Sequence, residues 1–337
     1  MGHPPEKNDW SLHYRLAPMA LTLALLAAGA LLLYLGAEAA VRGAAGLSRA
    51  LRIPAFALGA LLFGVDLEGL GAALVASGRG QSEIAAGESF GTILFLFSVA
   101  LGAALLFARS PVPSPSPAMV ALPALPVIAC AIAISDRFVA RWEGALLVLI
   151  YGAYATLVVL GRAGPEEGAE GPPRAGRGVE EEERGSPEAP TTPMLAMLTA
   201  AGLGLVYLGA TVLVVGGVRL IDLTTLSAGF VGAAVVGVLV SLDEVLLEVL
   251  PIRRGEPELA TGNLFGTLAA FTTIVPGLAA LVRPLVLDGA AAAAYLAVAL
   301  LYFVVATAFL TRGRAGRLLG GVVLVLYAAW LAVVSMV

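Results

Sequence analysis

Charge is the first thing this chain lacks. Asp, Glu, Lys and Arg make up only 13% of its 337 residues, against about 25% in a soluble domain, which needs them to face water. Hydrophobic residues reach 59% and the mean hydropathy is +0.93, so most of the surface must face lipid and a soluble enzyme is excluded. Histidine is nearly absent: His3 and His13 both lie near the start, ahead of the first apolar run. Cysteine occurs once, as Cys130, inside an apolar run. An intrachain disulfide is therefore excluded, and a zinc or copper centre has no nitrogen or sulfur ligands to draw on.

What the chain does have is apolar length. Runs near 16–40, 54–77, 88–108, 117–135, 142–161, 194–218, 228–250, 259–282, 289–311 and 315–337 are each close to the roughly 20 residues that cross a bilayer as a helix. They predict an all-α integral membrane protein of ten transmembrane helices. The stretch 1–14 is polar with mixed charge, no cleavable signal peptide is evident, and the first run is long enough to span. The ten runs divide five and five, into a half at 1–161 and a half at 194–337, around a polar segment at 162–193. That segment holds eight Glu and four Arg, so its four net negative charges equal the excess of the whole chain. With so little to bury it reads as a solvated acidic linker, although an acidic loop could also gather cations at the membrane surface. Thirteen of the basic residues fall on the linker's side, including Arg42, Arg49, Arg109, Arg253, Arg254, Arg312, Arg314 and Arg317, and seven on the other, including Arg79, Arg137, Arg141 and Arg283. Positive charge favours the cytoplasmic face. The expected site is the inner (plasma) membrane, with the linker cytoplasmic and both termini outside.

The chain also repeats itself. Residues 65–92 align without a gap on residues 240–267 at a constant offset of 175, within repeats spanning about 36–92 and 209–267. Leu67/Leu242, Arg79/Arg254, Gly80/Gly255, Glu83/Glu258, Gly87/Gly262, Phe90/Phe265, Gly91/Gly266 and Thr92/Thr267 are identical pairs. Upstream, Tyr34-Leu35-Gly36-Ala37 recurs as Tyr207-Leu208-Gly209-Ala210. Chance likeness between Gly- and Ala-rich helices predicts scattered matches, not an ungapped pattern in matching spans. Five spans per half is an odd number, so the second half enters the membrane inverted, the plan of secondary transporters with a binding site at the repeat interface.

The repeats hold the intramembrane acids: Asp66, Glu68 and Glu88 in the first copy, Asp243, Glu244 and Glu248 in the second, with Glu38 in the first span. Each costs several kcal/mol near the bilayer centre unless paired, hydrated or protonated, which makes them functional candidates; protonated acids bonding helix to helix are the structural alternative. Ser241, Glu244 and Glu248 share one helical face, with Asp66 and Gly69 on the corresponding stripe. Asp243 and Glu68 sit about 100° round and flank the site unless the helix is unwound. Glu88 and Asn263 are equivalent positions just after a glycine. Such oxygen ligands suit a hard cation, Ca²⁺, Na⁺ or Mg²⁺.

These motifs resemble the alpha-repeats of the sodium/calcium exchanger superfamily, whose members show Gly-Thr-Ser-x-Pro-Glu in the second and seventh helices and a Gly-Asn-x-x-Gly-Ser-Asn-like motif in the third and eighth. Here Gly64-Val65-Asp66-Leu67-Glu68-Gly69 and Leu239-Val240-Ser241-Leu242-Asp243-Glu244 stand in the first motif. Gly87-Glu88-Ser89-Phe90-Gly91-Thr92 and Gly262-Asn263-Leu264-Phe265-Gly266-Thr267 stand in the second. The resemblance carries ion-binding roles directly to Ser241, Glu244 and Asn263, and by position to Asp66 and Glu88. Both motif prolines are acids here, Glu68 and Asp243, and Gly69 stands opposite Glu244. Losing the prolines predicts less helix breaking, with Gly64, Gly69 and Gly71 restoring flexibility in the first copy only.

The metal-binding set is thus Asp66, Glu68, Glu88, Ser241, Asp243, Glu244 and Asn263. If its five acids share a cavity, one divalent ion cannot neutralise them, so protons are expected as coupling ions in a set that titrates together. The implied function is secondary antiport of Ca²⁺ or a related cation against H⁺ or Na⁺, with helices 1 and 6 rocking against the rest. A cation channel, or a transporter of another substrate on this fold, is the alternative. A membrane aspartyl protease lacks its Gly-Asp motif, and span interiors nearly without arginine disfavour anions. No cofactor is expected beyond the transported cations. The expected partners are the lipid bilayer and inorganic cations, with no nucleic acid and no obligatory protein partner. The linker is too short for a folded calcium-sensing domain.

Overall fold

The computed structural model describes residues 10–160, 190–223 and 241–334. The greater part of the 162–193 linker and the first half of the seventh apolar run lie outside them. Nearly every described residue is helical. Helices α1 (Trp10–Leu51), α2 (Ala55–Leu58), α3 (Leu67–Gly78), α4 (Ser82–Phe95), α5 (Leu101–Phe107), α6 (Pro117–Ala121), α7 (Ala124–Ala133), α8 (Arg141–Val159) and α9 (Thr192–Leu223) are followed by α10 (Leu242–Arg253), α11 (Pro257–Thr272), α12 (Ile274–Val282), α13 (Gly289–Arg312) and α14 (Arg317–Val334). Among the described residues, seven segments are long and apolar enough to cross a membrane: Pro18–Leu51, Ala55–Gly78, Ser82–Phe107, Arg141–Val159, Thr192–Leu220, Pro257–Val282 and Ala291–Arg312. Two shorter apolar segments, Pro117–Ala133 and Arg317–Ala332, stand beside them.

Several spans depart from the uninterrupted helices their composition predicts, each for a local reason. The first runs on to Leu51, well past its apolar run, because residues 41–51 are mostly Ala, Leu and Arg, which favour helix. The fourth breaks at Leu122 and Pro123, where proline lacks the amide that would continue the ladder. The eighth is divided at Thr273 (φ −134°, ψ −72°), three residues before Pro276. The second and third are continued by π-helical turns, Gly59–Phe63 and Leu96–Ala100, local widenings that often mark functional sites.

The chain divides into two compact units. The smaller comprises residues 1–40 and 200–243. In it α1 and α9 run antiparallel at very short range. Gly29 and Gly36 recur seven residues apart on one helix, Gly202, Gly209 and Gly216 on the other. A Cβ on Gly36 would lie 2.6 Å from the Val206 backbone nitrogen, and one on Gly209 2.6 Å from that of Leu33. Small residues at such spacing let two membrane helices approach until their backbones touch.

The larger unit comprises residues 41–199 and 244–337. Its centre is α11, whose residues from Leu259 to Thr272 are all buried. Phe265 lies in edge or tilted contact with Phe56, Phe97, Tyr302 and Phe309, ring centroids 6.2–6.4 Å apart. Glycines again set the distance: a Cβ on Gly64 would meet the Gly266 and Thr267 backbone at 2.7 and 2.8 Å, and one on Gly266 would run into Ala60.

The repeat is written in the backbone as well as the side chains. Gly80 and Gly255, 175 residues apart, both have φ +79°. The Gln81 amide donates to Ala76 O and the Glu256 amide to Pro251 O, both at 2.9 Å. Short strands β1 (Val112–Pro113), β2 (Phe138–Val139), β3 (Leu285–Val286) and β4 (Arg314–Ala315) pair antiparallel as β1 with β4 and β2 with β3. Each ladder joins one loop of the first copy's half to one of the second's.

Candidate cation site

In the first copy the second span is broken. After the π-helical turn, where the Gly64 amide donates to Gly59 O at 3.0 Å, the chain extends through Val65 and Asp66 and restarts as α3. Asp66 (φ −71°, ψ 110°) is the N-cap: its Oδ1 accepts from the Glu68 amide at 2.9 Å and its Oδ2 from the Gly69 amide at 2.8 Å. A cap of this kind stabilises a helix start by about 1 kcal/mol, and the carboxylate also meets the positive end of the helix dipole. The break thus forms without proline, as the glycines of the first copy predicted. It also changes the geometry assumed from the sequence. Asp66 is not on a helical stripe with Gly69, yet its carboxylate folds back onto that residue.

Gly69 is buried, and what surrounds it defines the site. A Cβ there would stand 2.6 Å from Asp66 Oδ2, 2.9 Å from Glu88 Oε1 and 3.0 Å from Phe271 Cζ. The first two distances put the Asp66 and Glu88 oxygens within about 5.5 Å of each other, on either side of a missing side chain. Glu88 is half-buried in α4, while Glu68, in the first turn of α3, is exposed.

In the second copy α10 begins at Leu242, so Ser241 lies in the turn before it; Asp243 and Glu244 are half-buried in its first turn. One turn on, Glu248 is 1% exposed, and its Oε1 accepts from Asn263 Nδ2 at 3.1 Å. Asn263 itself is 3% exposed within α11. Glu248 was legible as sharing a face with Glu244, but nothing in the sequence singled it out as the partner of Asn263. Its repeat position is Ala73, so the internal comparison offered no signal.

The structure therefore brings two of the predicted residues together, Asp66 with Glu88, and pairs a third, Asn263, with Glu248, which lay outside the predicted set. Among the described residues no three or more Asp, Glu, His or Cys side chains converge as a metal-holding group.

Long apolar helices, one of them buried along nearly its whole length and bearing polar side chains beside a capped helix break, define a multi-pass membrane protein of the transporter class. The model of the sodium/calcium exchanger protein family matches residues 21–160 and 194–336, and the chain belongs to that family, one of transporters and not enzymes. A protein of Alkalimonas amylolytica described as "Putative antiporter CaxA" is 26% identical over 271 residues, 78% of this chain and 82% of its own length. The fold is that of the sodium-calcium exchanger NCX_Mj. A form soaked with zero Na⁺ and Ca²⁺ superposes with a TM-score of 0.76 at 19% identity, over 94% of this chain and 99% of that one. A form soaked with 2.5 mM Na⁺ and 10 mM Sr²⁺ also gives 0.76 at 19% identity, over 93% and 99%.

Proposed function

We propose that this protein is a secondary active antiporter that moves Ca²⁺ or a related cation against H⁺ or Na⁺ by alternating access. The observation that carries the proposal is the pair of carboxylates, Asp66 and Glu88, meeting over Gly69 beside a broken span in a chain of the exchanger family. Charged groups at membrane depth persist where a substrate compensates them, and carboxylate and amide oxygens are the ligands hard cations prefer. Asp66, Glu88, Glu244 and Asn263 are assigned as cation ligands near the midplane. Ser241, Asp243 and Glu68 join them by their place in the chain, beside Glu244 and Asp66.

The repeated backbone angles and crossed ladders support ten helices in two inverted five-helix halves, 1–161 and 194–337, joined by the 162–193 linker. The distribution of basic residues supports a cytoplasmic linker and extracytoplasmic termini in the cell's inner membrane. With five acids in the assigned set, protons are the coupling ions the charge count favours.

Uptake of radiolabelled calcium into proteoliposomes under imposed Na⁺ or pH gradients tests the proposal. Uptake driven by one gradient and lost in Glu244→Gln is the expected result. Flux without countertransport would make the protein a channel. Absence of gradient-driven calcium flux in folded protein would remove calcium as the substrate, and the assay would pass to Mg²⁺, Mn²⁺ and Na⁺.

A further inference from the structure

The two copies do not offer the same groups at equivalent positions. Where the second has Ser241, Glu244 and Asn263, the first has Asp66, Gly69 and Glu88. Taken singly these are three unrelated substitutions: a hydroxyl becomes a carboxylate, a carboxylate vanishes, and an amide becomes a carboxylate. The geometry makes them one. The space a side chain at 69 would enter is bounded by Asp66 Oδ2, Glu88 Oε1 and the Phe271 ring, all within 3.0 Å of its Cβ position. Side-chain atoms so close to a Cβ leave no room even for a methyl group without displacement. Both Asp66 oxygens are tied to the first turn of α3, and Phe271 belongs to the buried α11, fully enclosed itself. A glutamate at 69 would add a third carboxylate to that space.

We propose that Gly69 determines the make-up of the cation site: by removing the side chain at 69 it lets the first copy supply its negative charge from Asp66 and Glu88 instead. The exchange is compensated: carboxylates at 66 and 88 stand in for the one the second copy carries at 244. In the second copy position 244 carries the acid, and the residues equivalent to 66 and 88, Ser241 and Asn263, are neutral. This deepens the cation-transport reading and rests on it, because two carboxylates crowded against one residue position at membrane depth need a cation to offset their charge. The two copies consequently present a cation with different ligands.

The test transplants the second copy's residues into the first. Gly69→Glu alone, Asp66→Ser with Glu88→Asn, and all three together are compared with wild type for gradient-driven cation uptake and for thermal unfolding in detergent. Gly69→Glu alone should lower uptake at least about tenfold, the equivalent of about 1.4 kcal/mol, and should reduce the unfolding temperature. The paired change removes both carboxylates and should lose uptake similarly without the same loss of stability. The triple variant should recover stability and return uptake to within about threefold of wild type, less than 1 kcal/mol away. Uptake and stability of Gly69→Glu equal to wild type would overturn the proposal, as would a triple variant no better than Gly69→Glu in both. Should wild type itself carry no cation tested, the transport reading fails. The unfolding temperatures still decide whether the three positions are coupled.

Discussion

At the scale of single residues, the second copy's amide is held by an acid that its own repeat does not predict. Glu248 Oε1 accepts from Asn263 Nδ2 at 3.1 Å, and both side chains are buried. Truncating the acid leaves a buried amide donor without its acceptor, which costs about 1–3 kcal/mol. We expect Glu248→Ala to lower the unfolding temperature by several degrees, and Glu248→Gln, whose carbonyl oxygen still accepts, to lower it less. A thiol-reactive fluorogenic dye measures this directly, since the lone Cys130 is fully buried until the protein unfolds. Equal melting of both variants with wild type would mean the bond contributes nothing. The sequence made the acids of the proposed site stand out, because a carboxylate in an apolar run is conspicuous. It did not reveal which acid meets which partner: Glu248 and Asn263 lie fifteen residues apart on different helices, and Asp66 reaches Gly69 only because the helix restarts between them.

Whole elements were legible where composition marks them and illegible where it does not. Among the described residues most apolar runs located their helical segments to within a few residues; the third span begins six residues before its run, and α1 overran its run by about a dozen because Ala and Arg continue a helix as readily as Leu. The π-helical turns and the division at Thr273 left no trace in hydropathy, since a bent span is as apolar as a straight one. The glycine spacing of α1 and α9 was present in the sequence, but in a chain with 40 glycines it does not stand out. Its effect is large. Gly36→Leu would force atoms into the Val206 backbone and should cost more than the 1–3 kcal/mol typical of overpacking, whereas Gly204→Leu, on an exposed position of α9, should melt as wild type. The difference in dye-detected unfolding temperature checks this; identical melting of the two would show that the close approach is not required.

For the molecule as a whole, the ungapped repeat was readable in the sequence, and Gly80 and Gly255, at its offset of 175, share φ +79°; the five-and-five division stays part of the proposed reading. The crossed ladders between halves were not readable, because pairs of two-residue strands carry no periodicity. The orientation proposed from the basic residues can be measured with single cysteines in a Cys130→Ser background. A cysteine at Ser186, in the linker, should react with a membrane-impermeant maleimide only from the cytoplasmic side, and one at Ser11 only from the outside. Labelling from the opposite faces would invert the topology, and labelling of both from one face would mean an even number of crossings between them.

One element sets a condition on how the protein is made. The helix α11 is buried from Leu259 to Thr272, and its buried polar side chains include Thr261, Asn263, Thr267 and Thr272. Its polar side chains are covered by protein, and the neighbours from Phe56 to Gly64 that pack against it are synthesised about two hundred residues earlier. The nascent chain must therefore keep a berth open among its earlier helices until this one emerges, so that the innermost piece of the finished protein is among the last to be delivered.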